Sequence, residues 1–297
     1  MAGKTIYELR CAVPEDTAIL SLMDQFVIAE IDLVRVVETD VRGTKVLSVF
    51  CERGGEAHRL HSACARLFPA ECELTVRRLD AGQWQTRWKQ FFVPFFLTPD
   101  ILVVPSGCED DRDSTHRLKI DSTSSFGIGT HPTTRSVCAF LRKCGGAYRS
   151  FLDIGTGTGI LSLVAWIYGA RTIVAIDCDR DAVAAAAENF SRNGLYEGTL
   201  RHGEFSRMSL PRFDFVAANL LTDDLIRERE KIVSAVAAGG LLAVSGISRV
   251  SARRFAQEFD ERGLSLIEVR EDEGWHSFLF RRDSDERQEK KDGPDKQ

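Results

Sequence analysis

The pattern of apolar and polar positions changes once along this chain of 297 residues and divides it into two parts. Over residues 5–80, runs at strand and helix spacing follow the order strand, helix, strand, strand, helix, strand. This order is typical of a ferredoxin-like α+β domain, whose four-stranded antiparallel sheet carries two helices on one face. We expect this domain at residues 1–81, with strands at residues 6–13, 32–39, 45–51 and 72–79 and helices at residues 15–26 and 56–68.

Aromatic residues and prolines mark the stretch from residue 82 to residue 105. Only Arg87 and Lys89 interleave with the aromatic side chains, which is a weak pattern for stacking and holding single-stranded nucleic acid. We therefore interpret residues 82–105 as an aromatic linker that packs between domains, and we expect no direct nucleic-acid recognition.

After the linker, short apolar runs alternate with helical runs, as expected for a mostly parallel sheet covered on both faces. Residues 264–270 and 277–281 flank a turn-like segment and predict a hairpin that adds an antiparallel edge to this sheet. The domain is expected at residues 106–282, and the charged, polar tail at residues 283–297 is expected to be disordered. The other predicted strands are residues 151–154, 172–176, 199–202, 213–217 and 241–245.

Composition narrows the class of protein. A hydrophobic fraction of 43% suffices for a substantial core. The eight cysteines form neither a C-x-x-C pair nor zinc-site spacing, so we expect reduced thiols and no metal.

The N-terminus lacks an apolar signal core and no long uncharged apolar stretch follows, which predicts a cytoplasmic protein without a membrane segment. A net charge of -5 does not favour tight binding to a phosphate backbone.

The motif most indicative of chemistry is D-I-G-T-G-T-G, residues 153–159, between an apolar strand and an apolar helical run. Glycine permits a tight turn and close approach of a ligand to the main chain. Asp177 ends the next predicted strand, where its carboxylate could bind both hydroxyls of a ribose. The pattern predicts a site for an adenosine derivative, although a glycine-rich turn without any ligand stays an alternative.

The spacing of the glycines restricts the ligand. Dinucleotide sites have G-x-G-x-x-G, whereas the motif here is G-x-G-x-G. A P-loop needs Lys followed by Ser or Thr in the turn, and no such pair follows Gly159. Neither phosphate-binding motif is therefore supported, and the predicted terminal hairpin also argues against a dinucleotide-dependent oxidoreductase.

Two further segments lie at the expected ligand crevice. Residues 126–134 contain two glycines, a histidine and three threonines before a helical run, and we favour a loop that closes over the ligand above helix capping alone. For His131 we expect a structural hydrogen bond rather than a proton relay. Asn219 follows a predicted central strand, where open α/β sheets bind ligands, with a helix cap for residues 220–229 as the alternative.

These segments together resemble the ribosomal protein L11 methyltransferase family, known as PrmA. The resemblance implies a Rossmann-like, seven-stranded class I methyltransferase domain beside the ferredoxin-like domain, with S-adenosyl-L-methionine as cofactor. It rests on FGIGTHPTT at residues 126–134, DIGTGTGILS at 153–162, AID at 175–177 and ANLL at 218–221, with WKQFF at 88–92 and ILVVPS at 101–106. The cofactor-binding residues implied by the motifs are Phe126, Thr130, Thr134, Asp153, Gly155, Gly157, Asp177 and Asn219.

The family's activity implies a role for one of these residues. In the family, the small domain grips a ribosomal protein of the large subunit, and the large domain methylates its lysine side chains and N-terminal amine. Asn219, with neighbouring carbonyls, is expected to orient the amine and is our candidate catalytic residue. The chain departs from the family at residues 121–125, at Ile128 and at Thr156, which leaves the identity of the methylated protein open.

Three alternatives compete with this hypothesis. The first is a lysine methyltransferase that acts on another protein, such as electron-transfer flavoprotein, and the ferredoxin-like domain argues against it. The second is a non-catalytic protein that binds an adenosyl ligand, and the third is an NAD-dependent oxidoreductase.

Overall fold

The structure, a computed structural model, describes residues 6–13, 35–41, 44–51, 61–62, 74–79, 93–105, 107–121, 128–259 and 263–283. The chain forms two compact units, residues 1–93 and 94–297. The predicted boundaries of the first domain and the linker, at residues 81 and 105, stay predictions.

The first unit contains a four-stranded sheet in which every neighbouring pair of strands is antiparallel. The strand order is β2-β3-β1-β4, which is the order of a ferredoxin-like fold. The predicted antiparallel sheet is therefore confirmed, whereas the predicted helices lie outside the described residues except for helical residues 61 and 62. The strands are β1 (Ile6–Val13), β2 (Arg35–Val41), β3 (Thr44–Cys51) and β4 (Leu74–Leu79).

The second unit begins with a small sheet of three strands that the sequence pattern did not reveal. These strands are β5 (Phe95–Thr98), β6 (Ile101–Pro105) and β7 (His116–Ile120). Strand β6 pairs antiparallel with β5 and parallel with β7. All five residues of β6 are buried, so this part of the predicted linker contributes to the core of the second unit.

A hydrogen-bond network around Asp100 attaches the small sheet to two helices. Asp100 Oδ1 accepts hydrogen bonds from Thr98 Oγ1 at 3.0 Å, Tyr168 Oη at 3.0 Å and Arg142 Nε at 2.7 Å. Its backbone oxygen also accepts from the amide of His116 at 2.9 Å. Burial alone would raise the pKa of Asp100, but the hydrogen bonds from Arg142, Thr98 and Tyr168 outweigh it and hold this pKa below its usual value.

The main sheet of the second unit has seven strands in the order β10-β9-β8-β11-β12-β14-β13. Neighbouring strands are parallel from β10 through β12. Strand β14 is antiparallel to both β12 and β13, so the antiparallel strand of the predicted hairpin lies inside the sheet and β13 forms the edge. The strands are β8 (Ser150–Ile154), β9 (Thr172–Asp177), β10 (Thr199–His202), β11 (Phe213–Asn219), β12 (Val236–Ser248), β13 (Leu264–Asp272) and β14 (Trp275–Arg282).

Helices separate the strands of the main sheet. The predicted helix at residues 220–229 consists instead of two short helices, α4 and α5. No helix in the described ranges is long and apolar enough to cross a membrane. The helices are α1 (Pro132–Lys143), α2 (Ile160–Ile167), α3 (Arg180–Asn193), α4 (Thr222–Arg227), α5 (Arg229–Ser234) and α6 (Arg249–Glu258).

The core fills both faces of the main sheet, because successive side chains of each central strand point to opposite faces. Leu152, Val216 and Leu242 lie in a large buried cluster on one face. Phe151 and Phe215 are paired across β8 and β11 with ring centroids 5.8 Å apart. Strands β8 and β11 are neighbours, but the strand that follows β8 lies on one side of this pair and the strand that follows β11 lies on the other. In open α/β sheets, ligands usually bind in the crevice at the carboxyl ends of two such strands.

Asp283, the first residue of the predicted tail, is hydrogen-bonded to the edge strand of the main sheet and to the residue before it. The amide of Asp283 donates to the oxygen of Gly263 at 2.8 Å, and its carboxylate accepts from Ser265 Oγ at 2.7 Å. Asp283 is therefore ordered, in contrast to the prediction, and residues 284–297 lie outside the described residues.

Asp100→Asn should destabilise the second unit by about 1–3 kcal/mol, because the uncharged amide oxygen accepts the three hydrogen bonds less strongly. Because the pKa of Asp100 is lowered in the folded state, the wild-type advantage should be complete above about pH 4 and shrink as the pH falls further. Thermal unfolding at pH 3–7 measures this. Asp113→Asn, at an exposed acid between β6 and β7, is the control, and an equal shift in Tm for both variants would contradict the prediction.

Candidate functional site

The glycine motif forms the turn between β8 and α2. Gly155, Gly157 and Gly159 all have positive φ, at 73°, 54° and 81°. The backbone amides of Gly155 and Thr156 both donate to the oxygen of Ile176, each at 2.9 Å. The turn is thereby fixed against the carboxyl end of β9.

Two of the glycines are also required by their neighbours. A Cβ atom on Gly155 would lie 2.4 Å from Leu220 Cδ2, and one on Gly159 would lie 2.6 Å from Phe190 Cε1. Any other residue at these positions would have to adopt an unfavourable left-handed backbone conformation, and its side chain would clash with these neighbours. The structure of the turn therefore requires these glycines, in addition to any contact that they make with a ligand.

Asp177 lies beside this turn at the end of β9. Its Oδ2 accepts a hydrogen bond from the amide of Gly157 at 2.9 Å, and its Oδ1 accepts from the amide of Asp179 at 2.9 Å. These bonds orient the carboxylate, which stays partly exposed. Each oxygen can accept a further hydrogen bond, so the group is suited to bind a pair of hydroxyls.

Asp153 is a fully buried carboxylate beneath the turn. Its Oδ2 accepts from Thr156 Oγ1 at 2.8 Å and from Ser162 Oγ at 2.7 Å. Burial raises the pKa of Asp153 to about 6, against the opposing effect of these two hydrogen bonds. Its other oxygen, Oδ1, is buried and has no hydrogen-bond partner within the described residues.

Helix α1 carries a second buried polar atom that has no hydrogen-bond partner among the described residues. Thr134 is buried, and its Oγ1 atom also finds no partner among the residues described. Cys138 lies one turn further along the helix, where burial and then the Asp153 carboxylate raise the pKa of its thiol. The helix face that carries Thr134 and Cys138 therefore packs towards Asp153.

Asn219 ends β11 next to the glycine turn. Ala218 pairs with Ile154 at the end of β8, and a Cβ atom on Gly155 would lie 4.0 Å from the backbone oxygen of Asn219. Helix α4 begins only at Thr222, so Asn219 does not cap a helix. Its side-chain amide makes no hydrogen bond within the described part of the chain, which leaves it available to a ligand.

His131 caps the first turn of α1. Its Nδ1 accepts from the amide of Thr133 at 3.3 Å, and its ring packs edge-on to Trp275 with centroids 4.9 Å apart. Burial, with a smaller effect of Arg135, lowers the pKa of His131 to about 4. The imidazole is neutral at physiological pH and has the structural hydrogen bond that we predicted for it.

The structure therefore brings most of the predicted site residues to one edge of the main sheet. Thr134, Asp153, Gly155, Gly157, Asp177 and Asn219 belong to this group. Thr130 is exposed just before α1, and Phe126 lies outside the described residues. Sequence reasoning missed Asn189, a buried side chain that contacts the turn through Thr158.

The strand order with an internal antiparallel strand, the glycine turn and the acid at the end of the next strand define a class I S-adenosylmethionine-dependent methyltransferase. The family model for ribosomal protein L11 methyltransferase (PrmA) matches residues 11–283. The chain belongs to this family. The resemblance found in the motifs is confirmed, and the alternative functions are not favoured.

Individual relatives agree with this assignment. The chain is 34% identical to a ribosomal protein L11 methyltransferase of Geobacter sulfurreducens over 216 residues, which covers 70% of this chain and 69% of the relative. It is 28% identical to one of Desulfosudis oleivorans over 290 residues, or 94% of each chain. A crystal structure of a ribosomal protein L11 methylase from Lactobacillus delbrueckii subsp. bulgaricus has a TM-score of 0.59 at 22% identity, covering 65% of this chain and 100% of that one, and supports the fold.

Asp153 and His131 should have opposite effects on the pH dependence of stability. The pKa of His131 falls on folding from 6.5 to about 4, so lowering the pH through this window should destabilise the protein by about 2–3 kcal/mol. The pKa of Asp153 rises on folding from 3.8 to about 6, so the same change in pH should stabilise it by a similar amount. In the wild type, the two effects partly cancel.

Single variants should separate the two effects. His131→Asn keeps a good capping residue and should lose less stability than the wild type between pH 6.5 and pH 4. Asp153→Asn keeps an acceptor for Thr156 and Ser162 and should lose more. Urea unfolding at several pH values measures both. If both variants followed the wild-type pH dependence, the inferred pKa shifts would be wrong.

Proposed function

We propose that this protein transfers methyl groups from S-adenosyl-L-methionine to amino groups of a large-subunit ribosomal protein of the L11 type. The acceptors are lysine side chains, the N-terminal amine, or both. The observation that carries the proposed site is a pair of buried polar atoms, Asp153 Oδ1 and Thr134 Oγ1, that have no hydrogen-bond partner among the described residues. Buried polar groups are normally satisfied, so two such atoms in one region point to a polar ligand.

The residues fit the parts of this cofactor. Asp177 would accept hydrogen bonds from the ribose hydroxyls. Asp153 would bind the ammonium group at the methionine end, and the hydroxyl of Thr134 would donate to its carboxylate. Gly155 and Gly157 would allow the ligand to approach the main chain. Phe126 and Thr130 complete the proposed set from the segment before α1, together with Asn219.

Asn219 is the proposed catalytic residue. When bound, the sulfonium cofactor supplies an already activated methyl group, so the protein chiefly has to align a neutral amine with it. The amide oxygen of Asn219 can accept a hydrogen bond from this amine, with help from neighbouring backbone carbonyls. Partial removal of water lowers the pKa of an amine and favours its reactive, neutral form.

The names of the relatives support the proposed substrate. Relatives of this chain are named ribosomal protein L11 methyltransferases. We propose that the domain at residues 1–81 grips the ribosomal protein, with the linker at residues 82–105 and the catalytic domain at residues 106–282. The enzyme would work in the cytoplasm, without direct nucleic-acid recognition and without a membrane.

Methyl-labelled S-adenosylmethionine and a lysate that lacks this methylation test the substrate. The wild-type protein should label one ribosomal protein of the L11 type, identified by mass. Asp177→Ala should bind the cofactor about 10- to 100-fold more weakly, because it loses hydrogen bonds to a charged acceptor. Asp181→Ala, an exposed acid in the first turn of α3, is the control. Labelling of a different protein would overturn the substrate assignment.

Asn219→Ala should lower kcat by about 10²-fold, because misplacement of the reacting amine is costly. The KM for the protein substrate should change much less, since the proposed grip on that substrate lies in the first domain. Steady-state kinetics with the purified substrate measure both constants. Full activity with unchanged constants would eliminate the orienting role of Asn219.

A further inference from the structure

Among the described residues, strand β7 has a strand partner on one side only, because it lies at the end of the order β5-β6-β7. Two asparagines of α3 occupy its other side. Asn193 Oδ1 accepts from the amide of Lys119 at 2.9 Å, and Asn193 Nδ2 donates to the oxygen of Lys119 at 2.8 Å. Asn189 forms the same pair of bonds with Asp121, each at 2.9 Å.

The spacing of the two asparagines along α3 matches the spacing of the backbone groups of Lys119 and Asp121. Four residues of an α-helix advance by about 6 Å. Two residues of a strand, which is the repeat of backbone groups along one edge, advance by about 6.6 Å. Asn189 and Asn193 therefore stand at nearly the same separation as Asp121 and Lys119. Their side-chain amides replace the backbone of a neighbouring strand.

Asn189 makes a contact with the glycine turn that Asn193 does not. Its Nδ2 also donates to the oxygen of Thr158, inside the glycine turn, at 2.9 Å. Asn193 Nδ2 instead makes its second bond within its own helix, to the oxygen of Asn189 at 2.8 Å. Asn189 is fully buried, so its hydrogen bonds are shielded from bulk water and their loss should be costly. One amide thus joins Asp121 to the glycine turn.

We infer that Asn189 is a positioning residue for the cofactor site, which it serves by holding the glycine turn in register with the end of β7. This inference rests on the proposed function of the turn. The turn carries Gly155 and Gly157 and lies against Asp177, so a shift at Thr158 would move several proposed cofactor contacts together. Asn189 itself touches none of the reacting atoms.

Asn189→Ala and Asn193→Ala form a matched pair for the test. Each removes two bonds to β7, but only the former removes the bond to the turn. Asn189→Ala should raise the KM for S-adenosylmethionine and the Kd for S-adenosylhomocysteine by about 5- to 50-fold, with a smaller change in kcat. Asn193→Ala should change these constants by less than about 2-fold, although it also lowers Tm. Equal changes in the two variants would refute the positioning role.

Hydrogen–deuterium exchange of the full chain without cofactor provides a readout that does not depend on the proposed function. Asn189→Ala should accelerate exchange across residues 155–160, whereas Asn193→Ala should leave that segment as in the wild type. If the wild type bound no cofactor but exchange differed as expected, the proposed function would fail and the coupling would stand. Unchanged exchange in Asn189→Ala would overturn the coupling itself.

Asn189→Asp covers the case in which the alanine variant does not fold. It keeps the size of the side chain and the acceptor for the amide of Asp121, but places a carboxylate oxygen against the carbonyls of Asp121 and Thr158. A protonated carboxyl can restore one of these bonds, so cofactor affinity should improve as the pH is lowered from 8 towards 6, relative to the wild type. A pH profile parallel to that of the wild type would contradict the inference.

Discussion

The attachment of the glycine turn to the end of β9 is the constraint on which the site depends. Two successive amides, of Gly155 and Thr156, share the oxygen of Ile176, and the next glycine binds the carboxylate of Asp177. A chain can bend this sharply only where left-handed backbone angles cost little, as they do for glycine. The bonds that close the turn thus also place the carboxylate of Asp177 next to the backbone of Gly157.

Beneath the turn, the burial of Asp153 lowers the stability of the protein. Only Oδ2 of this carboxylate has hydrogen-bond partners among the described residues, and burial makes its charged form unfavourable. A cation at this position would compensate the buried charge, so the same carboxylate that weakens the ligand-free protein strengthens its complex. The pKa shift of His131 acts on stability in the opposite direction to that of Asp153, so the two contributions should partly cancel between pH 4 and pH 6.5.

Local patterns predicted the main sheet well but the small sheet poorly. The central strands are buried on both faces and appear as unbroken apolar runs, so the predicted start of β8 was within one residue of the observed one. Strand β7 is short and mostly polar, and asparagine side chains complete its pairing. No motif predicts Asn189, because its function depends on Asp121 and Thr158, which are distant in sequence. Of the site residues that the motifs predict, Gly155 and Gly157 lie in the turn, whereas Asp153, Asp177 and Asn219 lie at the ends of strands and Thr134 lies in α1.

The segment between β7 and α1 is held at both ends by contacts remote from it in sequence. At Asp121 the contact is Asn189 of α3. At the other end, Trp275 packs against His131, and Arg135 binds Asp272 and Glu273 of the terminal hairpin. These contacts fix the start of α1, the helix that carries Thr134, against the terminal hairpin. Helix α3 and the terminal hairpin thus make contacts near the two ends of the chain segment that joins the small sheet to α1.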